Sequence, residues 1–176
     1  MMHLLQSSNR VALSFCNRRL SHDLEAHPNL SMTKPMTTTE HALEKEIIEL
    51  SDYDTAAEAL RQLKHLNKAV AEHLAVDILR SNKGDEYFQA SAFETLYSVN
   101  LHKGIELIKN PPMPLNTATL SAMIECITED SGIVVDHPEI LEAAKVLKKR
   151  IRNLNSQDSH RIQGTLDWFL ETYPDI

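Results

Sequence analysis

The sequence predicts an all-α fold, and three observations carry that prediction. Aromatic side chains make up 5% of the 176 residues, few for a chain built from strands, whose pleated surface favours aromatic and β-branched residues. Apolar residues recur at spacings of three and four, the period that stripes one face of a helix. The stretch 57–109 also reads as one helix pair written twice. In it, Ala57-Glu58-Ala59-Leu60-Arg61-Gln62-Leu63-Lys64-His65-Leu66-Asn67 aligns at an offset of 33 with Ala90-Ser91-Ala92-Phe93-Glu94-Thr95-Leu96-Tyr97-Ser98-Val99-Asn100. Ala75-Val76-Asp77-Ile78-Leu79-Arg80 aligns at an offset of 29 with Gly104-Ile105-Glu106-Leu107-Ile108-Lys109, so the second copy is expected to have lost about one turn between its halves. Repeats of this length stack because one helix pair cannot bury its apolar face alone. The expected architecture is six to eight helices in antiparallel pairs, forming a short, compact α-solenoid with an aliphatic core.

Residues 1–38 hold Pro28 and Pro35, are rich in Ser, Thr, Asn and His, and show no sustained period. A flexible tail is expected there, followed by one helical domain over 39–176. Met1 to Leu20 is basic and free of acids, as organellar transit peptides are; an extended start, with folding from Met32 or Met36, is the alternative. Thr37-Thr38-Thr39-Glu40 has the capping-box form and opens a helix striped by Leu43, Ile47 and Leu50. A second helix, Asp54 to Leu66, turns Ala56, Ala59, Leu60, Leu63 and Leu66 inward, and a third, Lys68 to Ser81, turns Ala71, Leu74, Ala75, Ile78 and Leu79 inward.

Lys83-Gly84-Asp85 supplies a terminating glycine and a new N-cap. Asp85 to Asn100 and Leu101 to Lys109 then repeat the pair, until the prolines of Asn110-Pro111-Pro112-Met113-Pro114 cut it short. Asn116 or Thr117 caps a helix to about Asp130, with Leu120, Met123, Ile124 and Ile127 inward. Ile133-Val134-Val135 is expected as an extended connector. Asp136-His137-Pro138-Glu139 predicts Asp136 as the next N-cap. Lys145, Lys148, Lys149, Arg150 and Arg152 near the end of that helix suit its dipole. A last helix from about Ser159 to Thr172 is expected to anchor in the core through Trp168 and Phe169.

The net charge of −7 is unevenly spread. Residues 1–38 carry four basic and two acidic side chains, a net of +2; the other 138 carry 14 and 23, a net of −9. An acidic body repels a polyphosphate, so the charge argues against nucleic acid and for a basic protein partner. Cys16 and Cys126 form no framework and no metal-ligand spacing, which fits a reducing cytoplasm. No apolar run approaches the length of a membrane span. The sequence holds no phosphate loop, no CxxC and no HExxH.

The repeat residues resemble those of HEAT-type helical repeats. The first helix of each pair carries Ala-x-Ala-φ-x-x-φ, as Ala57-Glu58-Ala59-Leu60 with Leu63 and as Ala90-Ser91-Ala92-Phe93 with Leu96. The second carries Val76-Asp77-Ile78-Leu79 or Ile105-Glu106-Leu107-Ile108. The resemblance implies a scaffold that binds other macromolecules. Small acidic examples look like the immunity proteins that neutralise bacterial toxins. On this reading the chain is not an enzyme and takes no cofactor or metal.

Two constellations stand out. His73-x3-Asp77 and His102-x3-Glu106 take the same place under the offset of 29; a spacing of four sets each pair on one helix face. Brought together they would suit iron or zinc, the alternative being a HEAT-like metalloenzyme; a scaffold subunit is a further alternative. Taken singly, each is a solvent-edge pair. Glu125, Glu129, Asp130, Asp136, Glu139 and Glu142 fall within 18 residues free of Lys and Arg. With Ile133 to Val135 among them, they are the expected partner-binding patch for a basic toxin or nuclease.

Overall fold

The computed structural model describes residues 35–112 and 114–176, and Pro35–Ile176 forms one compact unit. The expected tail lies outside the described residues, apart from its last four. Capping side chains fix where most of the helices begin. Thr37 accepts the Glu40 amide at 3.2 Å while the Glu40 carboxylate accepts the Thr37 amide, a complete capping box that opens α1 (Thr38–Glu49). Asp52, Asp85 and Asn116 open α2 (Tyr53–Leu66), α4 (Glu86–Val99) and α6 (Thr117–Glu129) alike. Each accepts the amide three residues on, from Thr55 at 2.8 Å, Phe88 at 2.8 Å and Thr119 at 2.7 Å.

Asn67 ends α2 and opens α3 (Lys68–Ser81); Asn100 ends α4 and opens α5 (Leu101–Lys109). Their backbones are nearly identical, at φ −146°, ψ 88° and φ −147°, ψ 88°. The intervals Asp52 to Asp85 and Asn67 to Asn100 are both 33 residues, so the sequence repeat is a repeat of caps. The lost turn is placed differently from expectation. The two second helices start in register, and α5, with 9 residues against 14 in α3, simply ends early before Pro111.

Among the described residues there are nine α-helices, one 3-10 turn and no strand. The count exceeds the expected six to eight because the last segment breaks at Ile162 (φ −116°, ψ 22°) into α8 (Ser156–Arg161) and α9 (Gln163–Thr172). α4 is central and packs against α2, α3, α5 and α6. α1 packs on α2, α6 also takes α7 (Pro138–Ile151) and α9, and α5 meets α7. Thus α2, α4, α6 and α9 are successive neighbours.

One apolar cluster runs from Ile47 to Tyr173. It is not purely aliphatic, since Phe88, Phe93 and Phe169 lie fully buried within it. Two close approaches require glycine. Gly84 has φ +79°, and a Cβ there would come within 2.5 Å of the Phe88 ring. At Gly104 a Cβ would meet the Tyr97 Cα at 2.9 Å, so the missing side chain lets α5 lie on α4.

Three further expectations are corrected. Asp136 is not an N-cap: the 3-10 turn Asp130–Ile133 follows α6, and the amides of Asp136 and His137 both bond to the Ile133 carbonyl, at 3.1 and 3.0 Å. The turn therefore closes one residue later. His137 takes the cap position without a side-chain cap, and Pro138 starts α7. Ile133 to Val135 is not extended; Ile133 and Val134 pack on the core, while Val135 is 93% exposed. The buried stripe of the last segment is Ile162, Leu166, Phe169 and Tyr173, which leaves Trp168 41% exposed. Phe169 is the anchor and Trp168 is not.

No helix among the described residues is long and apolar enough to cross a membrane.

Candidate functional site

The shared caps place side chains on successive helices in register. The ninth residue after the N-cap is Arg61 on α2, Glu94 on α4 and Glu125 on α6. Because these three helices are neighbours in that order, the slots form a row across them. Glu129 lies one turn beyond Glu125 on the same face of α6.

Glu125 is half-buried and accepts the Ser121 hydroxyl at 2.9 Å and the Thr165 hydroxyl at 3.0 Å, which ties α6 to α9. Trp168 follows Thr165 by one turn, on the same side of α9. Arg61 donates to Glu58 at 3.0 Å and to the Ser91 hydroxyl at 3.4 Å, spanning from α2 to α4.

Glu94 is the residue at which these effects converge. Its own surface is open to solvent, yet surrounding protein desolvates the carboxyl and raises its pKa. Next in size is the charge of Glu125, which also raises it; Arg61 and Lys64 oppose, and Glu129 adds to the rise. The side chain is thus in contact with solvent while dense protein around it lowers the local dielectric. Among the described residues neither Glu94 nor Glu125 has Lys or Arg at ion-pair distance.

The six acids chosen from the sequence divide in two. Glu125 and Glu129 join this row. Asp130 is half-buried and accepts the hydroxyl of the buried Tyr97 at 3.0 Å. Its charge also reaches Tyr173, whose pKa is pushed up to about 12, first by burial and then by Asp130. Tyr173 donates to the Ile127 carbonyl at 2.9 Å. Asp136 is exposed in the turn before α7.

Glu139 and Glu142, on α7, are each held by partners close in sequence. The Glu139 carboxyl is held below its ordinary pKa by its own backbone amide and, less, by His137, with Nδ1 at 3.3 Å, and by His102. Glu142 is lowered by the hydrogen bond from Lys145 at 2.8 Å and its charge, with Lys109 adding to it. Glu94 lies outside the acid-dense stretch 125–142, so the density of acids along the chain does not single it out. Counting from the caps would have aligned Glu94 with Glu125.

His73 and Asp77 do meet, at 3.2 Å, on the wall of an open groove of about 590 Å3 between α1 and α3. His102 and Glu106 are exposed on α5. The register set by Asn67 and Asn100 puts His73 six residues past its cap and His102 two past, so the pairs sit on different turns. No group of three or more His, Cys, Asp or Glu able to hold a metal forms among the described residues. Cys126 is a buried free thiol. No family model, curated protein or solved structure matches the chain.

Proposed function

We propose that this protein is a non-catalytic binding module that neutralises a basic protein, such as a toxin or nuclease, in the manner of an immunity protein in the cytoplasm. The observation that carries this reading is the carboxylate cluster at the α4–α6 end of the row: Glu94 and Glu125, with Glu129 one turn on, lie close enough that burial and repulsion raise the Glu94 pKa against the opposing charges of Arg61 and Lys64. Charge kept at a cost to the folded state suits a surface that a cation later satisfies. Trp168, exposed beside that face, offers a flat apolar and cation-binding surface. Of the six acids first expected at the interface, Glu125 and Glu129 lead, with Glu94 added. Asp130, Asp136, Glu139 and Glu142 stay in the proposal as secondary contacts of the same partner.

The fold proposed with this function is a short HEAT-like α-solenoid of antiparallel pairs. The 33-residue cap repeat and the succession α2, α4, α6, α9 support it. Binding would join charge steering, which sets the association rate, to apolar contact, which sets residence time.

The test is capture of the partner from the native host on the wild-type chain, then association kinetics with Glu94→Lys/Glu129→Lys at two salt concentrations. Slower association, by roughly tenfold at low salt, and a flatter salt dependence are expected. Wild-type rates at low salt would place the interface elsewhere.

A further inference from the structure

α1 is the first helix of the described unit and leaves much of its outer surface uncovered. Between it and α2 lies an open groove of about 500 Å3. Leu43 and Ala59, the more buried of its apolar lining residues, are joined there by Ala42, Glu46, Asp54 and Glu58. Among the described residues neither Lys nor Arg lines it. The surrounding stretch, Glu40 to Glu58, has seven acids and one base, Lys45. Lys45 is 3.6 Å from Glu49, outside the groove lining.

The apolar and the acidic lining residues ask for different things. Burying the apolar ones needs apolar side chains on one face of the occupant; satisfying the acids needs cations at its flanks. An amphipathic helix with a Leu-type stripe bordered by Lys or Arg supplies both, which is the usual way a helix lies in a groove. The volume is enough for a few large apolar side chains. A second copy of this acidic chain is disfavoured by like charge, as is a nucleic acid.

We propose that the α1–α2 groove docks a basic amphipathic helix of a partner protein, separately from the Glu94 face. It deepens the reading of a basic partner and rests on it for the partner's charge, but it assigns a second surface and a conformation to the docked segment. Leu43 and Ala59 receive the apolar stripe; Glu46, Asp54 and Glu58 receive the flanking cations. Glu58 already accepts from Arg61 at 3.0 Å and from Gln62 at 3.0 Å, and Glu46 accepts from the Ser51 hydroxyl at 2.7 Å, so Asp54 carries more of the discrimination.

The probe is a labelled synthetic peptide of about 18 residues, long enough for a stable helix on a surface, made of Leu and Lys with Leu at i, i+3, i+4 and i+7. A scrambled peptide of the same composition is the control. Fluorescence anisotropy against the full chain is expected to give the patterned peptide a Kd at least roughly tenfold below that of the scrambled one. Amide resonances of Ala42, Leu43, Asp54 and Ala59 should move most. Ala42→Arg/Asp54→Lys should weaken binding by roughly tenfold or more with helicity unchanged. If that variant loses helicity, Glu46→Lys carries the same test. Equal affinity of the two peptides would overturn the proposal, since charge alone would explain it. So would perturbations centred on Glu94 and Glu125, which would leave the proposed function standing.

Discussion

The first helix pair, α2 with α3, and the second, α4 with α5, share a frame and differ in what they hang on it. Asp52 and Asp85 cap alike, Asn67 and Asn100 join alike, and Leu63 and Leu96 are both buried. The contents diverge. Position nine after the cap is Arg61 in the first pair and Glu94 in the second. The fourth residue after the junction is Ala71 in the first and Gly104 in the second. The first helix of the second pair is enclosed by four other helices, and its partner α5 is five residues shorter. A repeat thus fixes where the chain turns. Side chains between the turns decide which copy becomes the centre of the fold and whether the shared slot holds a cation or a carboxylate.

The largest effects should come from the shared core slots. Leu63→Ala and Leu96→Ala are each expected to cost about 2–5 kcal/mol through lost burial and a residual cavity. Leu96 should lie toward the upper end, because α4 is hemmed in on more sides and can collapse less. Chemical denaturation of both variants reads this out. Two variants as stable as wild type would break the equivalence of the pairs.

Next is the slot where the pairs differ in size. Gly104→Ala gains helix propensity but drives a methyl into the Tyr97 backbone, for a net loss of about 1–3 kcal/mol. The reciprocal Ala71→Gly should cost about 1 kcal/mol, mainly from propensity. A stabilised Gly104→Ala would show that α5 can slide off α4.

The smallest effect is the most diagnostic of the charged face. Glu94 has a raised pKa, so the folded state holds its proton more tightly than the unfolded chain does. Its contribution is fully present below the ordinary carboxylate range and is lost as pH rises through the raised value. Glu94→Gln should therefore be the more stable protein near pH 7, with the gain vanishing at about pH 4. Discounted for solvent screening, the gain is about 0.2–1 kcal/mol. Glu139 and Glu142, with lowered pKa values, run the other way, their contribution being lost as pH falls through the folded values. Thermal melts of Glu94→Gln and Glu142→Gln across this range should diverge in sign; parallel curves would remove the distinction between the two groups of acids.

Much of the helical framework was legible in the chain. Thr37-x-x-Glu40, Asp52, Asp85 and Asn116 act within three residues of themselves, so their caps needed no tertiary context. The prolines after Asn110 end α5 for an equally local reason. Asp136 failed as a cap because the turn before it is set by how Ile133 and Val134 pack on the core. Trp168 failed as an anchor because Leu166, Phe169 and Tyr173 already fill the apolar face of α9. In the site, Glu125 and Glu129 were legible as acids four apart. Glu94 was not, since its partners are 30 residues and more away along the chain.

By itself, then, the sequence determined the all-helical class, most of the cap positions and the 33-residue interval between matching caps, all of which depend on hydrogen bonds and periods spanning a few residues. Only the tertiary structure decided that α2, α4 and α6 lie side by side, so that Arg61, Glu94 and Glu125 fall in one row. That outcome depends on electrostatic and packing distances across helices, and a one-dimensional spacing does not contain it until each helix's register against its neighbours is fixed.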